Sequence, residues 1–320
     1  MKKNSFKIIF LTIVLACMMN LTACAETAES HGNSDSNRGH SDQNAEPRDN
    51  TPLVLENTAS EEVLYQNELA TLDASHTSDG YVMVKYHGSN EKVKLQIIAP
   101  DETAYTYLVS DVDTYHVYPL PGGNGSYHVR VLESLSVSDT KYAIVFKQDL
   151  DVTIADEFSP FLRPNYYVNF ENGSKTVAKA KDLATDCYCD LDVVENVYYH
   201  VIKNVTYDTD KAQNVAYGYT PDPDETLETG KGICFDYASL MSAMLRSQRI
   251  PTRLEVGYAG DVYHAWISCY VDEIGWVDNI ISFDGENWSL MDPTLAANNS
   301  SSEVEQYIGD GSNYLIKYTY

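Results

Sequence analysis

Basic residues are scarce in this chain: 22 Lys and Arg stand against 47 Asp and Glu in 320 residues, a net charge of -25 at pH 7. Nucleic-acid binding rests on clustered Lys and Arg that neutralise phosphates, and with no such clusters a nucleic-acid partner is not expected. The same acidity disfavours adsorption to an anionic bilayer and suits a soluble part outside the cell. Long apolar runs are missing as well. The run from Ile8 to Cys17, preceded by Lys2, Lys3 and Lys7, is too short for a comfortable membrane span and has the pattern of a secretion signal. Paired Cys-x-x-Cys ligands are absent, since Cys187-Tyr188-Cys189 has a single residue between its thiols, so the cysteines supply no zinc template. The acids Asp222, Asp224 and Glu225 lack EF-hand spacing and its glycine, which leaves them as loop acids rather than a calcium site. No cofactor and no metal are expected.

The apolar run ends in Leu21-Thr22-Ala23-Cys24, which resembles a bacterial lipobox. That resemblance implies a signal peptide over 1–23 and lipidation of Cys24, with an ordinary cleaved signal as the alternative. Residues 24–55 are rich in Ser, Asn, Asp, Glu and Gly with few large apolar side chains, too few to offset ordering entropy, and are expected to form a disordered acylated tether. His31 and His40 fall in it and read as solvated linker rather than metal ligands. The folded part would then hang from the membrane through its N-terminal lipid on the extracytoplasmic face. Cys187, Cys189, Cys234 and Cys269 remain, and in an oxidising compartment a disulfide from one of them to Cys269 stays open.

Between about Gly80 and Thr153 apolar and polar residues alternate at period two, as in Tyr81 to Tyr86, Val93 to Ile98, Tyr105 to Val109, Tyr127 to Val131 and Tyr142 to Phe146. Turn residues separate these runs at Gly88-Ser89-Asn90, Pro100-Asp101 and Pro121 to Gly125, a spacing that predicts an antiparallel, Ig-like β-sandwich over 56–158. Its tyrosines are expected as half-buried sheet residues rather than a glycan-stacking face.

From about Ser159 the period changes. Ser174 is placed to cap a helix from Lys175 to about Thr185, and Leu191, Val194, Val197, Tyr198, Val201 and Ile202 share one face of a second helix. Gly218 to Gly232 reads as a loop leading to Cys234. After that cysteine, Ala238, Met241, Met244 and Leu245 recur at helical spacing, with Arg246 and Arg249 near the end, which predicts an amphipathic helix with Cys234 at its mouth. Free N–H groups and the positive dipole end there stabilise a thiolate, and Gly230 and Gly232 leave room for a substrate backbone. His264 opens a predicted strand at a hairpin rim, where imidazole could take the thiol proton. Asp292 ends a short strand from Trp288 and could orient that imidazole. The simplest reading of these residues is a Cys-His-Asp triad.

Gly232-Ile233-Cys234-Phe235-Asp236-Tyr237-Ala238, His264-Ala265-Trp266 and Trp288-Ser289-Leu290-Met291-Asp292-Pro293-Thr294, in that order, resemble the bacterial transglutaminase-like superfamily, over roughly Tyr166 to Leu295. The layout also looks like that of transglutaminase-domain lipoproteins. The resemblance implies a papain-like α+β catalytic domain over 159–320, with Cys234 as nucleophile, His264 as base and Asp292 as its orienter. The chain departs from the papain pattern at the oxyanion donor, where Glu228 stands near the place of a glutamine. The Cys234 N–H remains, and Tyr207 and Trp266 are candidates for a second donor or for lining the site. The expected activity is acyl transfer or amide hydrolysis on protein or peptide substrates through a Cys234 thioester. A cysteine peptidase of cell-wall peptides and a non-enzymatic surface scaffold are the alternatives. Tyr307-Ile308-Gly309 and Tyr314 to Tyr320 are expected as a closing strand, and the oligomeric state is not legible.

Overall fold

The computed structural model describes residues 48–136, 140–272, 275–277, 281–283, 288–290 and 314–320. The signal sequence, Cys24, Asp292 and Tyr307 to Gly309 lie outside them. Strands β1 (Leu64–Gln66), β2 (Ala70–Asp73), β3 (Tyr81–Tyr86), β4 (Val93–Ile98), β5 (Ala104–Val109), β6 (His116–Pro119), β7 (Gly125–Ser134) and β8 (Tyr142–Val152) come first. They form two antiparallel four-stranded sheets, in the orders β1-β2-β3-β6 and β5-β4-β7-β8. Alternation sets the inner face: Val93, Leu95 and Ile97 of β4 lie beside Tyr127, Val129 and Val131 of β7, all buried. The five period-two runs became β3, β4, β5, β7 and β8. β1, β2 and β6 are three or four residues long, too short for alternation to mark them.

Helices α1 (Lys175–Ala184) and α2 (Asp190–Asn204) follow, then β9 (Thr206–Tyr207), α3 (Thr209–Asn214), α4 (Pro223–Thr229), β10 (Lys231–Gly232) and α5 (Cys234–Ser247). The chain continues as β11 (Thr252–Ala259), β12 (Val262–Val271), β13 (Gly275–Val277), β14 (Ile281–Phe283), β15 (Trp288–Leu290) and β16 (Tyr314–Thr319). One antiparallel sheet runs β13-β12-β11-β16, so the expected closing strand lies on the outer edge of β11. Strand β16 approaches so closely that a Cβ on Gly257 would stand 2.0 Å from the Leu315 carbonyl oxygen. The architecture is mixed α/β.

Helix α2 buries Val193, Val194, Val197, Tyr198 and Val201, close to the face expected from its spacing. At α1 the cap differs from expectation. Ser174 stands at the N-cap position, but its hydroxyl accepts from the Glu171 N–H at 3.0 Å. The orphan donors of α1 go to Asp224 of α4, which accepts from the Lys175 and Thr176 N–H groups at 3.0 and 2.8 Å and from the Thr176 hydroxyl at 2.6 Å. The stretch expected as a loop before Cys234 therefore holds a helix. Its signals are conventional: Asp222 as N-cap, Pro223 at the first position and Gly230 as a left-handed C-cap at φ 60°.

Helix α5 departs further from expectation. Every residue from Asp236 to Ser247 is buried, because α1, α2 and α4 pack on it from one side and β11 and β12 from the other. Ala238, Ser239, Ser242 and Ala243 keep it slim enough for neighbours to approach on all sides. Arg246 is not a solvated cation at the helix end. It is 1% exposed and donates to the main-chain oxygens of Arg163, Thr252 and Tyr320 at 2.7 to 2.9 Å, and burial pushes its pKa down to about 9.

Tyrosines join the sheets of the first half to this helix. Tyr107, on the inner face of edge strand β5, is 1% exposed and lies 4.8 Å from Tyr118, 5.4 Å from Tyr167 and 6.0 Å from Tyr320, ring centre to ring centre. Tyr167 in turn lies 5.1 Å from Phe235, the residue after Cys234, and its carbonyl accepts the Ser239 hydroxyl at 2.6 Å. The expectation that these tyrosines are structural is met, although several are wholly buried rather than half. The last residues of the expected tether also join the core. Arg48 pairs with Asp190 at 2.6 Å, the Leu53 N–H donates to Ser247 at 2.9 Å, and Val54 is buried.

The Tyr107 and Tyr118 hydroxyls have no hydrogen-bond partner among the described residues. Tyr107→Ala should therefore cost about 3–5 kcal/mol in urea unfolding, as for other buried aromatics. Tyr107→Phe should cost less than about 1 kcal/mol or stabilise, because it removes only an unpaired polar group. A large loss with phenylalanine would mean that the hydroxyl carries a bond.

Burial raises the Asp224 pKa, but its hydrogen bonds to Thr176 and Lys175 outweigh that and hold it below 3.8. A pKa depressed by folding adds stability above the unfolded value and loses it as pH falls through the folded one. Asp224→Ala should thus lower stability by about 1–2 kcal/mol near neutrality, with the gap to wild type closing below about pH 3. Unfolding curves at both pH values test this, and a gap that does not depend on pH would contradict it.

Candidate active site

Two short strands set up the mouth of α5. Parallel pairing of β9 with β10 puts Tyr207 opposite Gly232, two residues before Cys234. The Thr206 and Asp208 N–H groups donate to the carbonyls of Gly230 and Gly232, both at 2.9 Å, and the Tyr237 hydroxyl ties the helix to Val205 at 2.7 Å. Cys234 takes the first position of α5 and is partly exposed. Its N–H is one of the helix-start donors that have no partner within the helix.

The turn into Cys234 is held by Asp236, which sequence reasoning passed over. Its carboxylate is fully buried and accepts the Ile233 N–H at 2.8 Å, the Tyr219 hydroxyl at 2.6 Å and the Lys211 ammonium at 2.8 Å. The signal for it was an acid at the third helical position, the place from which a side chain reaches back to the backbone before the helix. Lys211 and Tyr219 left no such signal. Asp236 also explains Gly232, where a Cβ would stand 2.6 Å from the Asp236 Cβ. The space expected to admit a substrate backbone is thus filled by the protein's own carboxylate. At Gly230 the reason is the left-handed C-cap, where a Cβ would stand 2.8 Å from the Asn204 carbonyl oxygen.

On the other side of the mouth is the β11–β12 hairpin. His264 is the third residue of β12 rather than its first, pairs with Gly257, and is 8% exposed. Its ring centre lies 6.1 Å from that of Trp266. The preceding residue, Tyr263, is 57% exposed and interacts electrostatically with Cys234. Burial first, then the neighbouring Tyr318, Tyr258 and Cys234, raise its pKa.

Trp266 does not fit the role of oxyanion donor or site lining. It is 1% exposed, and its indole N–H donates to Glu255 at 2.8 Å, an oxygen that also accepts the Ser268 hydroxyl at 2.8 Å. Glu255 is a second buried carboxylate that the sequence reading missed. Glu228 is half exposed and paired with Lys175 on the surface. Asp292 lies outside the described residues, two positions beyond the end of β15.

Among the described residues no disulfide links Cys187, Cys189, Cys234 or Cys269. Burial pushes the pKa of Cys187 and of Cys189 up. Among the described residues no group of His, Cys, Asp and Glu side chains is arranged to hold a metal ion.

With this geometry in hand, comparison with known proteins is informative. Residues 177–279 match the family model of the transglutaminase-like superfamily, a span that includes Cys234 and His264 and ends before Asp292. The UPF0252 protein MJ1282 of Methanocaldococcus jannaschii is 34% identical over 96 residues, covering 26% of this chain and 27% of that protein. The chain thus spans about a quarter of the length of the curated relative it matches. Among solved structures, a candidate cysteine protease from Cytophaga hutchinsonii has a TM-score of 0.34 at 16% identity, over 72% of this chain and 68% of that one. Red sea bream transglutaminase has a TM-score of 0.29 at 14% identity, over 67% of this chain and 48% of that one. The chain carries a transglutaminase-like segment built around Cys234.

Gly232→Ala should force the Asp236 carboxylate out of its place, lowering stability by about 1–3 kcal/mol and slowing alkylation of Cys234. Urea unfolding and peptide-mapped iodoacetamide labelling on the same preparation test this. Wild-type behaviour in both would show that the carboxylate can move without cost.

Proposed function

We propose that the protein is a thiol acyltransferase or amidohydrolase acting on protein or peptide amides, with Cys234 as nucleophile, His264 as base and Asp292 as the group that orients it. The observation that carries this reading is the position of Cys234, partly exposed at the start of an otherwise buried helix and inside the transglutaminase-like segment. His264 accepts the thiol proton as Sγ attacks the amide carbonyl carbon, and the tetrahedral adduct collapses with the C–N bond breaking. That proton passes to the departing amine and leaves a Cys234 thioester. Water or a second amine then attacks the thioester, and its proton returns through His264 to the Cys234 sulfur. The Cys234 N–H is available to the oxyanion. Tyr207, on the strand beside Gly232, is the proposed second donor.

In the same proposal residues 56–158 form an Ig-like sandwich and residues 159–320 the catalytic domain. Cys24 carries the lipid that holds both at the extracytoplasmic face of the membrane, where protein or wall-peptide substrates are met.

A glutamine peptide mixed with a labelled primary amine decides the outcome for the thioester. A product that gains the mass of the amine supports transfer, and acid or cleaved peptide alone assigns the protein to hydrolysis. Cys234→Ala should abolish either product. Cys234 should also be alkylated at neutral pH well before Cys187 and Cys189, which burial keeps protonated. Activity that survives Cys234→Ala would overturn the proposal.

A further inference from the structure

Asp236 stands two residues after Cys234 in the first turn of α5, fully buried, and its negative charge opposes a thiolate that draws on the same positive dipole end. Removing the carboxylate is no remedy, because the Ile233 N–H depends on it. The chain supplies a cation instead. The seam between β9 and β10 that carries the cysteine loop also leads into α3, where Asp208 caps the helix by accepting the Lys211 N–H at 2.8 Å. From there the Lys211 side chain reaches back, its ammonium 2.8 Å from one Asp236 oxygen and 2.6 Å from the Tyr219 hydroxyl, which donates at 2.6 Å to the other. Lys211 lies 4.3 Å from the centre of the Tyr219 ring, and burial together with the bond to Asp236 keeps that phenol protonated.

We propose that Lys211 is a positioning residue for the Cys234 nucleophile, its ammonium neutralising Asp236 so that a thiolate can form at the mouth of α5. This rests on the reading of Cys234 given above. Of the ionisable groups around the mouth, Lys211 and Tyr219 bond to the Asp236 carboxylate. Tyr263 and the adjoining His264 come from β12, Tyr318 from β16 and Tyr207 from β9, while Asp222 and Glu225 of α4 add negative charge near Tyr219. Lys231 of β10 is exposed.

The test follows iodoacetamide labelling of Cys234 against pH, by peptide mapping, in wild type, Lys211→Met, Lys211→Arg, Asp236→Asn and the Lys211→Met/Asp236→Asn double variant. Thermal midpoints are read alongside. Lys211→Met should slow labelling near pH 7 about ten-fold and move the rate–pH curve to higher pH, with rates converging at alkaline pH. Lys211→Arg should restore most of the rate. In the Asp236→Asn background, Lys211→Met should have little effect, since no charge remains to be neutralised. A purely structural lysine would lower the thermal midpoint without moving the curve, and that result overturns the proposal. A shift equally large in the Asp236→Asn background overturns it too. Should Asp236→Asn fail to fold, the Met and Arg variants still decide. Wild-type labelling of Cys234 no faster than that of Cys189 would overturn the nucleophile reading along with the proposal.

Discussion

The contact on which the rest depends is that between Tyr107 and Tyr167. An edge strand of a sheet normally ends the core, but β5 turns Tyr107 inward and then across to Tyr167, Tyr118 and Tyr320. Tyr167 holds α5 twice, through the Phe235 ring and the Ser239 hydroxyl. The residue after the candidate nucleophile is thus packed on a side chain that the sheets of the first half hold in place. The core of those sheets and the core around α5 form one buried cluster, so loosening the first would be felt at the mouth of the helix. Aromatic pairs suit such a joint, since each adds about 0.5–1.5 kcal/mol beyond its buried area and does so only in preferred orientations.

A helix buried from its third residue onward must deal with charge at both ends, and α5 does so with opposite solutions. At its start Asp236 complements the positive end of the dipole and meets an ammonium. At its finish Arg246 complements the negative end and meets only main-chain oxygens. Because Arg246 takes oxygens from Thr252, Arg163 and Tyr320, it ties β11, the segment before α1 and the end of β16 to a single guanidinium. A planar group with five donors in a rigid fork holds several carbonyls in one fixed geometry, which the three rotatable donors of a lysine would not.

Much of this was legible in the sequence, and what was not has physical reasons. The period-two runs located β4, β5, β7 and β8, and helical spacing located α1 and α2, because those elements bury one face more than the other, whereas β3 was located although it is buried on both faces. The same rule misjudged α5, expected as amphipathic: Ser239, Ser242 and Ser247 are all buried, with the hydroxyls of Ser239 and Ser247 bonded to nearby carbonyls. Helix α4 was hidden by its acids, although Asp222, Pro223 and Gly230 spell out its start and end. At the site, the position of Cys234 was readable because a glycine-flanked cysteine before an apolar period is a local pattern. Lys211 and Tyr219 were not, because they reach Asp236 only through the β9–β10 pairing, a contact between segments more than twenty residues apart in the chain.

Residues 48–54 do not lead straight into the first sheet. Arg48 grips Asp190 at the start of α2, Asp49 pairs with Arg249 at 3.1 Å, and Leu53 bonds to Ser247 at the far end of α5 from Cys234. Only after this clasp does the chain proceed to β1. The ion pair of Arg48 with Asp190 is largely shielded from solvent, while that of Arg249 with Asp49 is more exposed and so more open to screening by salt. The clasp thus has a shielded element and a more exposed one, and both reach the C-terminal end of α5, since Arg48 also donates to the Gln248 carbonyl.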